Sequence, residues 1–205
     1  MSTPDALTLI RQALDESARV KLALREQAPD ILRTARHLAE TFRTGGRLYA
    51  CGNGGSACDA MHLVEELVAR YKRERPGLPA QHLVDGATLT CWSNDYDFAG
   101  AFARQVEALA RPGDVLVAIS TSGNSPNVLR AVESANERGV LTVGLSGRDG
   151  GRLRALCGEC LVVPAEATER IQEAHIAIIH LWCELIERML FFDLSLHTPP
   201  PAVDA

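Results

Sequence analysis

Residues 114–120 are the part of the sequence that most restricts the fold. Between Asp114 and Ser120 every side chain is apolar, a composition typical of a strand that is buried on both faces of a sheet. The strand runs into a short polar turn, after which Ser125 and Pro126 are suited to be the N-cap and the first residue of a helix. A buried strand followed at once by a helix predicts a parallel sheet that is covered by helices.

The same alternation of strand and helix recurs along the chain. Further strands are predicted at residues 47–51, 81–84, 140–145 and 160–163. Helices are predicted at residues 56–71, from 125 to about 139, and at 167–190. Ser56 and Asp59 have the spacing of a capping box for the first of these helices. This order predicts an α/β fold with a doubly wound parallel sheet.

The chain has 205 residues, which fits a single domain with one core. A helical arm is predicted at about residues 1–44, and Pro29 and Asp30 divide it into two helices. The α/β core covers about residues 45–190. The tail, residues 192–205, contains three consecutive prolines and cannot continue a helix, so we expect it to be loose.

Charge and composition narrow the function classes. The formal net charge is −5, without a concentrated basic face, so nucleic acid is not an expected partner. Apolar runs stay below the ~18 residues of a membrane span. The six cysteines are spread irregularly, which favours reduced thiols and a cytoplasmic location. The cationic residues 70–75 follow a predicted helix and either complement its negative end or serve a subunit interface or a substrate phosphate.

The loops at residues 52–56 and 120–125 are suited to hold phosphate. They follow the carboxyl ends of two strands, where α/β sheets bind ligands. The first loop has three glycines, which let backbone amides approach a ligand, and the second has four hydroxyls before a helix N-terminus. Neither has a dinucleotide or Walker motif, so a sugar phosphate is favoured over a nucleotide. Ordinary strand-to-helix turns have a similar composition, and that interpretation stays open.

Two ionisable side chains share one face of the helix that follows the glycine loop. His62 and Glu66 are four residues apart, a spacing found in surface salt bridges, metal sites and acid/base pairs. His180 is flanked by apolar residues of the last helix, so it is either a core histidine or a proton carrier. Glu66 and His180 together would suit aldose–ketose isomerisation, which needs a base at the carbon and a group that serves the oxygens.

Several segments resemble the phosphoheptose isomerases, a family of the SIS (sugar isomerase) fold. They are residues 51–67, 93–96, 113–116, 119–127 and 170–175, with His180. The segments occur in the order of that family and extend over about residues 45–190. The resemblance implies a five-stranded parallel sheet flanked by helices, and a homotetramer with active sites shared between subunits.

The resemblance also implies a reaction and a set of site residues. The reaction converts sedoheptulose 7-phosphate to D-glycero-D-manno-heptose 7-phosphate through an enediolate, for heptose biosynthesis, with Glu66 and His180 as the acid/base pair. The implied substrate contacts are Asn53, Gly54, Gly55, Glu66, Asn94, Asp95, Ser120, Thr121, Ser122, Ser125 and Gln172. The implied ligands of one zinc ion per subunit are His62, Glu66, Gln172 and His180. Gln172 and His180 are about 12 Å apart along one helix, so binding one ion requires extended side chains or different subunits.

Two other interpretations stay open at this point. Trp92, close to Asn94, departs from the family pattern and leaves room for a longer sugar phosphate, such as an octose phosphate of an antibiotic pathway. The chain also resembles a non-enzymatic SIS protein that binds the replication initiator DnaA. That group lacks a carboxylate at the position of Glu66, so the presence of Glu66 favours an enzyme.

Overall fold

The computed structural model describes residues 5–192; the predicted loose tail, apart from Phe192, lies outside this range. The described helices are α1 (Ala6–Ala23), α2 (Ala28–Arg43), α3 (Gly55–Val68), α4 (Gly86–Asp95), α5 (Ala101–Leu109), α6 (Pro126–Glu137), α7 (Gly151–Leu156) and α8 (Thr168–Glu187). The strands are β1 (Leu48–Gly52), β2 (Ala80–His82), β3 (Val115–Ser120), β4 (Leu141–Gly147) and β5 (Glu159–Val163). Short 3₁₀ turns cover Leu24–Gln27 and Phe98–Gly100, and α8 ends in a π-helical turn, Arg188–Phe192.

The strands form one sheet in the order β2-β1-β3-β4-β5, and every pair is parallel. This confirms the predicted five-stranded parallel sheet. From β1 the chain first adds β2 on one side, and it then places β3, β4 and β5 one after another on the other side. The direction of winding therefore reverses between β1 and β3. A crevice at such a switch point is where doubly wound sheets bind ligands.

Strand β3 separates two apolar layers. Its six residues are all buried; Val117 and Ile119 face the layer under α2, α3 and α8, whereas Leu116 faces the layer under α5 and α6. Trp182 of α8 and Phe102 of α5 are among the largest fully buried side chains of the two layers. Burial of an apolar side chain of this kind contributes about 1.5–3 kcal/mol, which accounts for the apolar run at residues 115–119 of the central strand.

The start of α3 differs from the prediction. Gly54 is the N-cap, with φ +56° and without a side-chain capping bond, so the predicted capping box of Ser56 and Asp59 is wrong. The turn is closed by backbone bonds instead: the amide of Ser56 donates to the carbonyl of Asn53 at 3.0 Å. The helix also ends at Val68, earlier than predicted. Within residues 5–192, no helix combines the length and apolar character that a membrane crossing requires.

Candidate active site at the switch point of the sheet

The two predicted phosphate loops lie side by side, because they follow the neighbouring strands β1 and β3. Their contact is a reciprocal amide pair. Nδ2 of Asn53 donates to Oδ1 of Asn127, and Nδ2 of Asn127 donates to Oδ1 of Asn53, both at 2.8 Å. The side chain of Asn53 therefore ties the glycine loop to the start of α6.

The glycine loop brings α3 unusually close to α8. A Cβ atom on Gly55 would lie only 2.4 Å from Nε2 of Gln172, so the first residue of α3 has no room for a side chain unless Gln172 moves. Gly54, one residue earlier, has the left-handed φ of +56° that favours glycine. These two glycines account for the tight entry into α3 and for the position of Gln172.

The hydroxyl loop presents its side chains in front of α6. The hydroxyls of Ser120 and Ser125 are 3.0 Å apart, and Oγ of Ser122 accepts the amide of Asn124 at 3.2 Å. Thr121, Ser122 and Ser125 are half-buried, so part of each remains accessible. Hydroxyls at the N-terminus of a helix form an anion site when a ligand is present.

His62, Glu66 and His180 come together between α3 and α8, and one ligand atom from each lies within 4.8 Å of the others. Nε2 of His62 is 3.2 Å from Oε1 of Glu66. The rings of His62 and His180 meet edge to face, with centroids 5.1 Å apart. The structure thus joins the local His62–Glu66 pair to a residue that is more than a hundred positions later in the chain.

This trio fits a metal ion. Oε2 of Glu66 is buried and has no hydrogen-bond partner among the described residues, a costly arrangement for a carboxylate unless a cation or a ligand satisfies it. Two imidazole nitrogens and one carboxylate oxygen are typical ligands of a zinc site that keeps a position open. Gln172 is not in the trio; it lies beside Gly55 and lines, together with His62, a cleft of about 390 Å³.

Among the described residues, no hydrogen bond or ion pair joins Asn94 or Asp95 to the trio. They occupy the exposed last turn of α4, where Nδ2 of Asn94 donates to Oδ1 of Asp95 at 2.8 Å. Helix α4 packs mainly on α5 and the turn Phe98–Gly100. Their predicted contact with substrate stays a prediction.

Asp59 is a site residue that the sequence reasoning missed, because it was assigned to a helix cap. It is 9% exposed, its Oδ2 has no described partner, and it lines the cleft with Gly55 and His62. Burial raises the pKa of Asp59 to about 6, against a smaller opposing effect of His62. The spacing of Asp59 and His62, three residues apart on one helix, could have revealed it.

His175 is a core histidine by contrast. It is fully buried on α8, and one ring nitrogen lies 3.0 Å from the carbonyl of Ser146. Burial lowers the pKa of His175 to about 4, which keeps the ring neutral. Of the two histidines of α8, only His180 belongs to the trio.

Comparison with known proteins agrees with this geometry. The family model described as SIS domain matches residues 14–147. Phosphoheptose isomerase of Pelobacter propionicus is 52% identical over 181 residues, 88% of this chain and 96% of that protein. Phosphoheptose isomerase of Halorhodospira halophila is 48% identical over 192 residues, 91% of this chain and 97% of that protein.

Solved structures agree as well. Phosphoheptose isomerase from Neisseria gonorrhoeae superposes with a TM-score of 0.85 at 39% identity, over 89% of this chain and 99% of that one. The phosphoheptose isomerase from Francisella tularensis superposes with a TM-score of 0.87 at 35% identity, over 90% and 100%. The chain therefore belongs to the SIS domain family and, within it, to the phosphoheptose isomerases.

Proposed function

We propose that this protein is an aldose–ketose isomerase that converts sedoheptulose 7-phosphate to D-glycero-D-manno-heptose 7-phosphate, for heptose biosynthesis. The observation that carries the proposal is that Glu66, on the helix that leaves the glycine loop, meets His180 of α8. Relatives named phosphoheptose isomerase, with about half of their residues identical over most of both chains, support the choice of substrate.

The hydroxyl loop binds the phosphate of the substrate. Ser120, Thr121, Ser122 and Ser125 donate hydrogen bonds, and the amides at the start of α6 add the favourable end of a helix dipole. The glycine loop, Asn53–Gly55, is tied to this loop through Asn127 and binds the sugar chain. Anchoring at both ends holds the reacting carbons over the trio and lowers the entropy cost of the reaction.

Isomerisation moves one proton from C1 to C2 and another from the C1 oxygen to the C2 oxygen. The carboxylate of Glu66 takes the carbon proton and returns it to the neighbouring carbon, while the imidazole of His180 carries the oxygen proton. The side chain of Glu66 is only 14% exposed, so little water competes for the proton. Such general acid/base catalysis contributes about 10²–10⁴-fold.

One zinc ion per subunit is part of the proposal, held by His62, Glu66 and His180, with Gln172 as the fourth ligand. The unsatisfied Oε2 of Glu66 supports this assignment. When bound there, the ion would supply Lewis-acid chemistry to the oxygens of the substrate. Because Gln172 lies two turns before His180, its participation requires an extended side chain or the Gln172 of another subunit.

A homotetramer with shared active sites is also proposed. On α1, Leu7, Ile10 and Leu14 follow helical spacing and are 63%, 56% and 65% exposed, a stripe that a second copy would cover. Shared sites would also bring Asn94 and Asp95 to a trio of a neighbouring subunit. In light scattering, Leu14→Glu should shift the mass toward smaller species. An unchanged mass would show that this stripe is not part of the interface.

The six cysteines are free thiols, which supports a cytoplasmic location.

The direct test incubates the purified protein with ketose phosphates of six to eight carbons and follows aldose formation by NMR. Turnover of sedoheptulose 7-phosphate in preference to the others supports the proposal. Turnover of the eight-carbon substrate instead would overturn the choice of sugar. Inactivity on every ketose phosphate would contradict the isomerase function and favour a non-enzymatic SIS protein.

The structure removes the main support for a longer sugar. The ring of Trp92 stacks on Tyr96 with centroids 4.3 Å apart, and Cζ of Arg104 lies over the ring, 5.5 Å from its centroid. Nε1 of Trp92 sits where a side chain on Gly100 would clash, at 2.8 Å. These contacts within the chain account for Trp92 without an enlarged substrate.

A further inference from the structure

Helices α3 and α8 carry the whole trio, so their relative position sets the distance between Glu66 and His180. At their amino-terminal ends the helices meet at the close approach of Gly55 and Gln172. At their carboxyl-terminal ends they are joined through the segment of residues 69–79, which returns from α3 to β2. A buried ion pair, Arg75 and Glu187, lies in this second junction.

Arg75 caps the end of α3. Its side chain is 2% exposed; Nη2 donates to the carbonyl of Glu66 at 2.7 Å, and Nη1 donates to the carbonyl of Leu67 at 2.7 Å. Carbonyls in the last turn of a helix lack partners within the helix. The last turn of α3 contains no basic residue, so the guanidinium also supplies the positive charge that this end of the dipole favours.

The described hydrogen bonds and the ion pair of the Glu187 side chain all lead out of its own helix. Glu187 is the last α-helical residue before the π-helical turn Arg188–Phe192, and its side chain is 4% exposed. Oε1 lies 3.3 Å from Nε of Arg75, and the carboxylate accepts the amides of Lys72 and Arg73 at 3.3 and 3.4 Å. All of its described partners belong to the segment that caps α3, so Glu187 serves the junction rather than α8.

The junction reaches the trio from both sides. Arg75 bonds the backbone of Glu66 itself. Glu187 accepts the amides of Lys72 and Arg73, which are the two residues after Tyr71. The ring of Tyr71 stacks on His180, with centroids 5.9 Å apart and planes 24° apart. Glu187 is also seven residues after His180, on the same face of α8 and about 10 Å away along its axis.

We propose that Arg75 and Glu187 are positioning residues that hold Glu66 and His180 at their working separation and hold Tyr71 against His180. Neither belongs to the trio; both act through the backbone of α3 and the ring of Tyr71. Partners of this kind typically change metal affinity or activity by about 10–100-fold when they are removed. The kinetic part of this inference rests on the proposed isomerase function.

The first test compares two carboxylates one turn apart on α8. Glu187→Gln should lower kcat by about 10–100-fold and leave KM little changed, since the phosphate loop is not touched. The matched control is Glu184→Gln, which removes the more exposed ion pair of Glu184 with Lys72, 2.6 Å long and in the same junction. Equal kcat values for the two variants would overturn the proposal.

A second test separates positioning from stability. Arg75→Met leaves the charge of Glu187 buried alone and should lower the melting temperature strongly, whereas the double variant Arg75→Met/Glu187→Met removes both charges and should regain much of it. We expect kcat and the affinity for zinc, measured by competition with a chromophoric chelator, to stay low in the double variant. Recovery of kcat together with the melting temperature would show that the pair is only structural.

A third readout needs neither activity nor metal. In metal-free protein labelled with ¹³C-histidine, the ring of Tyr71 shifts the Cε1–H resonance of His180, which His180→Gln identifies. Glu187→Gln should move this resonance and Glu184→Gln should not; an unmoved resonance in Glu187→Gln refutes the inference. If the unaltered protein fails to isomerise any ketose phosphate, the proposed function falls while this measurement still decides whether Glu187 positions His180.

Discussion

Replacement of Glu66 by glutamine isolates the contribution of one carboxylate. Glutamine has almost the same shape and helix propensity, so the change removes a charge and a basic oxygen but little else. In the structure, Oε1 of Glu66 contacts Nε2 of His62 at 3.2 Å, and Oε2 is buried without a described partner. The substitution therefore disturbs one hydrogen bond at most and leaves the packing of α3 intact.

Two opposite effects follow from that geometry. Loss of the base should lower kcat by about 10²–10⁴-fold, which is about 2.7–5.5 kcal/mol of activation free energy at 1.36 kcal/mol per factor of ten, with a further loss because the variant also lacks a metal ligand. In metal-free protein, by contrast, removal of a largely buried carboxylate with one unpartnered oxygen should leave the free energy of unfolding unchanged or higher. A residue that only stabilised the fold would lower both quantities.

The assay follows both turnover and the incorporation of solvent deuterium into the sugar. The matched control is Glu65→Gln, because Glu65 is the adjacent carboxylate and its side chain is 62% exposed, against 14% for Glu66. Glu66→Gln should exchange almost no deuterium, and Glu65→Gln should resemble the unaltered protein. Exchange at the unaltered rate in Glu66→Gln would refute the assignment of Glu66 as the base.

Three further predictions test the loops and the cleft. Ser122→Ala should raise KM by about 10-fold or more, the cost of one hydrogen bond to a charged phosphate, with a smaller change in kcat; a larger fall in kcat would place the hydroxyl in the transition state. Burial raises the pKa of Asp59 from 3.8 to about 6. Because the unfolded chain ionises more readily, the folded state loses stability as pH rises from about 4 to 6, and at higher pH the loss reaches up to about 3 kcal/mol. In metal-free protein, Asp59→Asn should thus raise the melting temperature at pH 8 but not at pH 4. Gly55→Ala places a Cβ 2.4 Å from Nε2 of Gln172 and should lower zinc affinity and turnover, with little change in melting temperature because that side chain can move.

The sheet was predictable because its strands carry a strong local signal. β3 is buried along its whole length and β1 likewise, and residues 115–119 form the apolar run that is typical of a strand covered on both faces. Helices α4, α5 and α7 were not predicted. α4 has no buried residue, so no apolar stripe marks it, and α7 has six residues with Leu153 as its one buried side chain. An element that buries little has little periodicity to detect, but this reason does not apply to α5, which buries Phe102 and Val106.

The candidate site likewise has one part that local sequence signals predict and another that depends on tertiary structure. The pairing of His62 with Glu66 follows from helical spacing alone. The meeting of that pair with His180 depends on how α8 crosses the sheet, and the sequence indicated it only through the chemistry that Glu66 and His180 would share and through the resemblance to a family. Asp59 was misassigned because the choice between a cap and a cleft residue depends on where α3 begins. That start is set by the left-handed φ of Gly54, a backbone property that three glycines within four residues permit but do not determine.

The cationic segment at residues 70–75 has one property that the sequence predicts and another that depends on tertiary structure. One of the two interpretations of its charge was a complement to the negative end of the preceding helix, and Arg75 agrees with that interpretation by donating to the carbonyls of Glu66 and Leu67. A helix cap of this kind would work equally well at the surface, where it needs no counter-ion. Arg75 is buried instead, and its charge requires a counter-ion, which is the carboxylate of Glu187. Each buried charge is compensated by the other, across 112 positions of chain, and the contact they make joins the end of α3 to α8.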